Sequence, residues 1–123
     1  AAKAWSVWEG STVKLIQNKA LMEHSSDAQF AEAFSRIECH YFTNNGWFDT
    51  DNYLIENVDK IRHIPAVIVH GRYDVVCPVE NAWELHKAWP ESDLHIIPDS
   101  GHAMSEEGIK NKLIEYTDKF LKL

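Results

Sequence analysis

Strand-forming sequence is scarce in this chain, and that scarcity limits what it can fold into. Two runs have the length and composition of buried strands. Ala66–His70 is apolar and β-branched between Pro65 and Gly71, and Leu94–Ile97 is closed by Pro98. Between them Pro78 opens a helix through about Trp89. After them, a helix from about Ser105 to Leu121 gathers Ile109, Leu113, Tyr116, Thr117 and Phe120 on one face. Strand, helix, strand, helix in that order implies two parallel strands joined by a right-handed crossover, with helices on both sheet faces. Two parallel strands do not make a stable sheet by themselves, so the expected fold class is α/β, as part of a larger doubly wound domain.

The chain changes character near residues 60–65, because everything before reads as helical. Residues 26–43 carry a capping box, Ser26 with Gln29, then Phe30, Phe34, Ile37 and Tyr41 at helical spacing, and Asn44-Asn45-Gly46 as a stop. The opening segment from Ala1 to about Leu21 is helix-compatible, weakened in its middle by Gly10 and Ser11-Thr12-Val13. A short helix is expected around Asn52–Val58. There is no repeat and no low-complexity stretch, and the helical half reads as an insertion packed above the sheet.

Charge and cysteine usage exclude several classes. With 12 basic and 19 acidic side chains among 123 residues, the net charge is −7. Nucleic acid and anionic membrane surfaces both call for clustered Lys and Arg, so neither is expected as a partner. The longest apolar runs fall far short of the roughly 20 residues that cross a bilayer. Cys39 and Cys77 have no CxxC spacing, which fits reduced thiols in a cytoplasmic protein. No HxxxH or HExxH occurs among the seven histidines, and neither a metal nor any other cofactor is expected. The start, Ala1-Ala2-Lys3-Ala4-Trp5, has no initiator Met and no secretion signal, and reads as cut from something longer.

Parallel α/β sheets carry their chemistry at the carboxyl ends of strands, where this chain has Asp74, in Gly71-Arg72-Tyr73-Asp74, and His102, in Asp99-Ser100-Gly101-His102. An Asp that holds one imidazole nitrogen fixes the tautomer and leaves the other nitrogen as a base. Asp before His is also the chain order in the second part of an α/β-hydrolase triad. On these two residues alone, a pair of turns that merely end strands is an equally open reading. Glu38 falls on the flank of the apolar stripe of its helix, where a charge needs a partner, and Glu9 is set beside Trp8 and four residues from Trp5. Each could instead be a rim charge paired with Lys or Arg. Trp83 and Trp89 read as core or interface packing, and Glu106-Glu107 as charges favouring the positive N-terminus of the last helix. Cys77, just ahead of the helix at Pro78, is placed to line the edge of a cleft beside Asp74.

Four strings carry a resemblance to a known family over essentially the whole chain. They are Trp5-Ser6-Val7-Trp8-Glu9-Gly10, Arg36-Ile37-Glu38 with His40-Tyr41-Phe42, Ile61-Arg62-His63-Ile64-Pro65-Ala66-Val67-Ile68-Val69-His70-Gly71-Arg72-Tyr73-Asp74, and Ala88-Trp89-Pro90-Glu91. Together they resemble the C-terminal portion of prolyl aminopeptidases, also called proline iminopeptidases. The resemblance implies a cytoplasmic serine peptidase with an α/β-hydrolase core and a helical cap, releasing N-terminal proline from peptides without a metal. It implies residues 1–60 as a cap segment and 61–123 as the C-terminal part of the core. Asp74 and His102 would be the triad acid and base, and Glu9 and Glu38 the carboxylates that hold the substrate's terminal amine. The sequence contains no GxSxG, so the nucleophile and the other strands are expected in an N-terminal half preceding residue 1. The chain alone is then expected to be inactive, and its open sheet edge to favour self-association. Two other readings remain: another capped α/β hydrolase, such as an epoxide hydrolase with an upstream Asp nucleophile, and a non-catalytic binding module derived from the fold. The paired glutamates speak against the former, whose substrates carry no ammonium.

Overall fold

In the computed structural model, which describes residues 1–122, the order is α1 (Ala2–Thr12), α2 (Lys19–Ser25), α3 (Ala28–Thr43), α4 (Tyr53–Glu56), β1 (Val67–Gly71), α5 (Val79–Ala88), β2 (Asp93–Ile97) and α6 (Glu107–Phe120). Short 3₁₀ turns occupy Asn45–Trp47 and Val58–Lys60. The chain forms two compact units, one of Ala1–Thr12 with Ile16–Tyr53, the other of Val13–Leu15 with Leu54 onward.

In the first unit α1 packs on α2 and α3. The single opening helix expected to about Leu21 is instead two helices. Ser11 and Thr12 direct their hydroxyls back to the carbonyls of Trp8 and Glu9, at 2.6 and 2.9 Å, and α1 stops there. Asn18 then opens α2, its side chain accepting from the Leu21 N–H at 3.0 Å. The start of α3 also differs from the expected capping box. Ser26 is still helical, at φ −86° and ψ −9°, and closes α2, so it cannot provide the extended backbone an N-cap needs. Asp27 at ψ 133° can, and its carboxylate accepts from the Phe30 N–H at 2.8 Å.

The face that α3 buries is likewise not the stripe its large apolar residues suggest. Ala31 and Ser35 are buried, whereas Ile37 and Tyr41 are more than half exposed. Close approach of two helices favours small side chains, and here Ser35 donates to the Ala2 carbonyl at 3.1 Å, while Ser6 of α1 is also buried. Gly10 serves the same end, because a Cβ there would lie 2.2 Å from Ser25 Oγ.

The second unit is the β-α-β-α element expected from the sequence. β1 and β2 pair in parallel, from Val67 opposite Asp93 to Gly71 opposite Ile97. α5 packs on both strands and α6 on β1. On β2 the side chains of Asp93 and His95 reach Tyr116 of α6, with His95 Nε2 2.6 Å from its hydroxyl, so alternation turns Leu94 and Ile96 the other way. Trp89 is buried at the end of α5, while Trp83 is half exposed. Arg62 grips Glu91 through Nε and Nη2, at 3.0 and 2.5 Å, tying the approach to β1 to the turn before β2. That contact holds the Glu91 carboxyl below its ordinary range. Among the described residues no helix is long and apolar enough to cross a membrane.

The strand ends meet at Gly71. A Cβ there would fall 1.9 Å from the Gly101 carbonyl oxygen and 2.6 Å from that of Ser100, both backbone atoms that cannot swing aside. Gly71→Ala is therefore expected to lower stability by about 1–3 kcal/mol or more, because the Ser100–His102 loop must move away. Urea unfolding of the two proteins measures it, and equal midpoints would show that the loop yields without cost.

Candidate active site

Asp74 sits where β1 has ended and the backbone turns. Its N–H donates to the Gly71 carbonyl at 3.3 Å, while the N–H groups of Arg72 and Tyr73 donate to the carbonyls of Ile97 and Ser100 at 2.9 and 3.0 Å. The loops after the two strands are thus bonded backbone to backbone. Within this frame the Asp74 side chain folds back on its own loop. Oδ1 accepts from the N–H groups of Val76 and Cys77, at 3.0 and 2.8 Å. Oδ2 accepts from His102 Nδ1 at 2.9 Å. The carboxylate is buried and fully engaged, which fixes its orientation.

His102 is held through its backbone. Its N–H and that of Ala103 both donate to the Val13 carbonyl, at 3.1 and 2.7 Å. The preceding Gly101 N–H donates to Glu106 Oε1 at 2.8 Å, and Glu106 Oε2 accepts from the Leu15 N–H at 3.2 Å. Glu106 is therefore spent on backbone, rather than only on the N-terminus of α6 as the sequence suggested; it makes no side-chain cap there. Because an ionised carboxylate only accepts, His102 carries a proton on Nδ1, and in the neutral ring the lone pair lies on Nε2. With 38% of its side chain exposed, the imidazole remains reachable. An imidazole held this way can take a proton at Nε2 and release it again, the resulting cation being stabilised by the adjoining carboxylate.

A second histidine lies under the pair. His70 Nε2 approaches the Cys77 carbonyl at 2.9 Å, and since a carbonyl only accepts, Nε2 bears that proton. The same nitrogen is 3.5 Å from Asp74 Oδ2. His70 thus braces the loop that Asp74 organises, a role no sequence reading assigned, although a polar residue at the end of an apolar strand four positions before Asp74 was a signal. Cys77 contributes both its N–H and its carbonyl to this arrangement, and its side chain is exposed.

Glu9 and Glu38 belong to the first unit. Glu38 lies seven residues after Ala31 and three after Ser35, on the face of α3 that packs against α1, and is half-buried for that reason. Its Oε2 accepts from the Trp5 indole N–H, so its partner is a neutral donor rather than the Lys or Arg of a rim pair. Trp5 in turn stands beside Trp8, ring centroids 5.2 Å apart. Glu9 lies one turn beyond Trp5 on α1 and is also half-buried. Among the described residues no group of three or more His, Cys, Asp or Glu side chains is arranged to hold a metal ion.

Residues 7–109 match the model of the alpha/beta hydrolase fold family. Over 121 residues, 98% of the chain, it is 60% identical to a probable proline iminopeptidase of Leptolyngbya boryana. It is 52% identical to a proline iminopeptidase of Xanthomonas citri and 50% identical to one of Arabidopsis thaliana, over 98% and 97% of the chain. The chain spans 38%, 38% and 31% of the lengths of these three relatives. A parallel β-α-β-α unit, an Asp and a His joined at the strand ends, and a family match over most of the sequence have one common explanation: the chain belongs to the alpha/beta hydrolase fold family.

Proposed function

We propose that this chain is the acid–base and amine-binding part of a cytoplasmic serine aminopeptidase that releases proline from the N-terminus of peptides. The observation that carries the reading is the 2.9 Å bond between Asp74 and His102 Nδ1, at the carboxyl ends of two parallel strands. Likeness to proline iminopeptidases over nearly the whole chain supports the substrate class. In this reading residues 1–60 form part of a cap and 61–123 the C-terminal part of the core. The nucleophilic Ser comes from chain outside these 123 residues, whose strands would pair with the open sheet edge; self-association is the alternative fate of that edge.

The chemistry follows from the proton positions. Nε2 of His102 takes the proton of the Ser hydroxyl as its oxygen attacks the prolyl carbonyl, and Asp74 stabilises the imidazolium. Nε2 then gives that proton to the departing amine, leaving a prolyl ester. Water, activated by the same nitrogen, hydrolyses the ester and restores the Ser. Acyl transfer needs no terminal amine, so the preference for an unblocked proline must come from groups that recognise it. Glu9 and Glu38 do this as paired carboxylates around the prolyl ammonium, with the Trp5 N–H orienting Glu38.

Two expectations test this. The 123-residue chain alone should not cleave a prolyl p-nitroanilide, whereas a chimera in which it replaces the matching stretch of the Leptolyngbya boryana relative should. In that chimera His102→Ala and Asp74→Asn should each lower kcat roughly a thousand- to ten-thousand-fold. Asn keeps an acceptor for Val76 and Cys77, so this loss would not be one of folding; near-parental turnover in either variant removes that residue from the machinery. Glu9→Gln and Glu38→Gln should each lose about 30- to 4,000-fold in kcat/KM on the same substrate, the range for removing one partner of a desolvated charge pair. N-acylated prolyl substrates should stay poor throughout. If both variants match the parent on unblocked substrate, amine recognition lies elsewhere.

A further inference from the structure

The sequence offers Glu106 and Glu107 as equivalent charges at the start of α6, but only the first is tied into the His102 loop. One Glu106 oxygen accepts from the Gly101 N–H, immediately before His102, at 2.8 Å. The other accepts from the Leu15 N–H at 3.2 Å. Two residues before Leu15, the Val13 carbonyl accepts from both His102 and Ala103. The His102 backbone is thus gripped from two sides, by the carboxylate and by the Val13 carbonyl, and the same carboxylate anchors the segment that supplies that carbonyl. Gly101 leaves no slack: a Cβ on it would meet Leu15 N at 3.0 Å and Glu106 Oε1 at 3.2 Å.

We propose that Glu106 is a positioning residue for His102: its carboxylate, bridging the Gly101 and Leu15 N–H groups, sets the backbone from which the imidazole reaches Asp74 Oδ2. An ionised carboxylate suits two converging donors because both its oxygens accept and neither donates. Glutamine has nearly the same shape but turns an NH₂ toward one of the two N–H groups, opposing donor to donor. The imidazole then loses its fixed platform while its own atoms are untouched. The kinetic consequence rests on the reading of His102 as the base, but the effect on the ring does not.

The test compares Glu106→Gln and Glu106→Ala with Glu107→Gln in the complete protein that carries this chain. The first readout is the proton NMR resonance of His102 Nδ1–H, identified by its disappearance in His102→Ala. It should be sharp in the parent and in Glu107→Gln, and broadened or lost in both Glu106 variants. The second is prolyl p-nitroanilide hydrolysis, where kcat should fall up to roughly a hundredfold in Glu106→Gln with KM nearly unchanged, since a displacement of about an ångström has that cost. A helix-terminus role would move Glu106→Gln and Glu107→Gln alike, in unfolding midpoint and not in the resonance, and that result overturns the proposal. So does a parental resonance with parental kcat in Glu106→Gln. Should Glu106→Ala fail to fold, Glu106→Gln decides. A parent without prolyl hydrolysis refutes the aminopeptidase reading, while the resonance still tests Glu106.

Discussion

The buried carboxylate of Asp74 joins most of what this structure does. One oxygen closes the loop after β1 by accepting two backbone N–H groups, and the other fixes the tautomer of His102 across the strand pair. The second task depends on the loops lying in backbone contact, which depends in turn on Gly71 having no side chain. Remove the glycine and the loops part; remove the carboxylate and two N–H groups lose their acceptor, while the imidazole is left to choose its own proton position. The architecture of the loops and the orientation of the imidazole are therefore set by the same carboxylate.

The two units solve their burial problems differently. In the first, α1 and α3 come close enough only because Ser6, Ala31 and Ser35 are small, and the position one turn further along that face of α3 is Glu38. A half-buried carboxylate there needs a donor, and the Trp5 indole provides one without neutralising the charge. In the second unit the strands are short, and of the β1 residues only Gly71 is fully buried. Its apolar core is drawn instead from Val58, Ala82, Trp89, Ile97 and Ile109 in and around the strands, while backbone pairing and polar bonds order the strand ends.

Features governed by local periodicity and by Pro or Gly punctuation were legible in the sequence. The parallel strands between Pro65 and Gly71 and before Pro98 and the helix after Pro78 follow from such signals, whereas the pairing of Asp74 with His102 was left open by the residues alone and was implied by the family resemblance. What escaped notice depends on side chain–backbone bonds whose winner no pattern names. Ser26 and Asp27 are both good caps, and backbone conformation selected Asp27. Glu106 and Glu107 look alike until Gly101 and Leu15 arrive from elsewhere in the chain. The apolar spacing of α3 named the wrong face because packing against α1 rewarded small volume over hydrophobicity. His70 was hidden inside an apolar run, where its ring could as well have been a filler.

The bonds around Asp74 also differ in reach along the chain, and this sets an order of assembly. Its contacts with Val76 and Cys77 close over two and three residues, a span that an unfolded chain explores within about a hundred nanoseconds. Its contact with His102 closes over 28 residues and requires the α5 crossover and the β1–β2 ladder to be in place. The acid can take up its geometry on a nascent loop, before any sheet exists, whereas the base arrives only with the completed topology. Orientation of the carboxylate is thus a matter of a few neighbouring residues, whereas its partnership with the imidazole is a property of the completed strand pair.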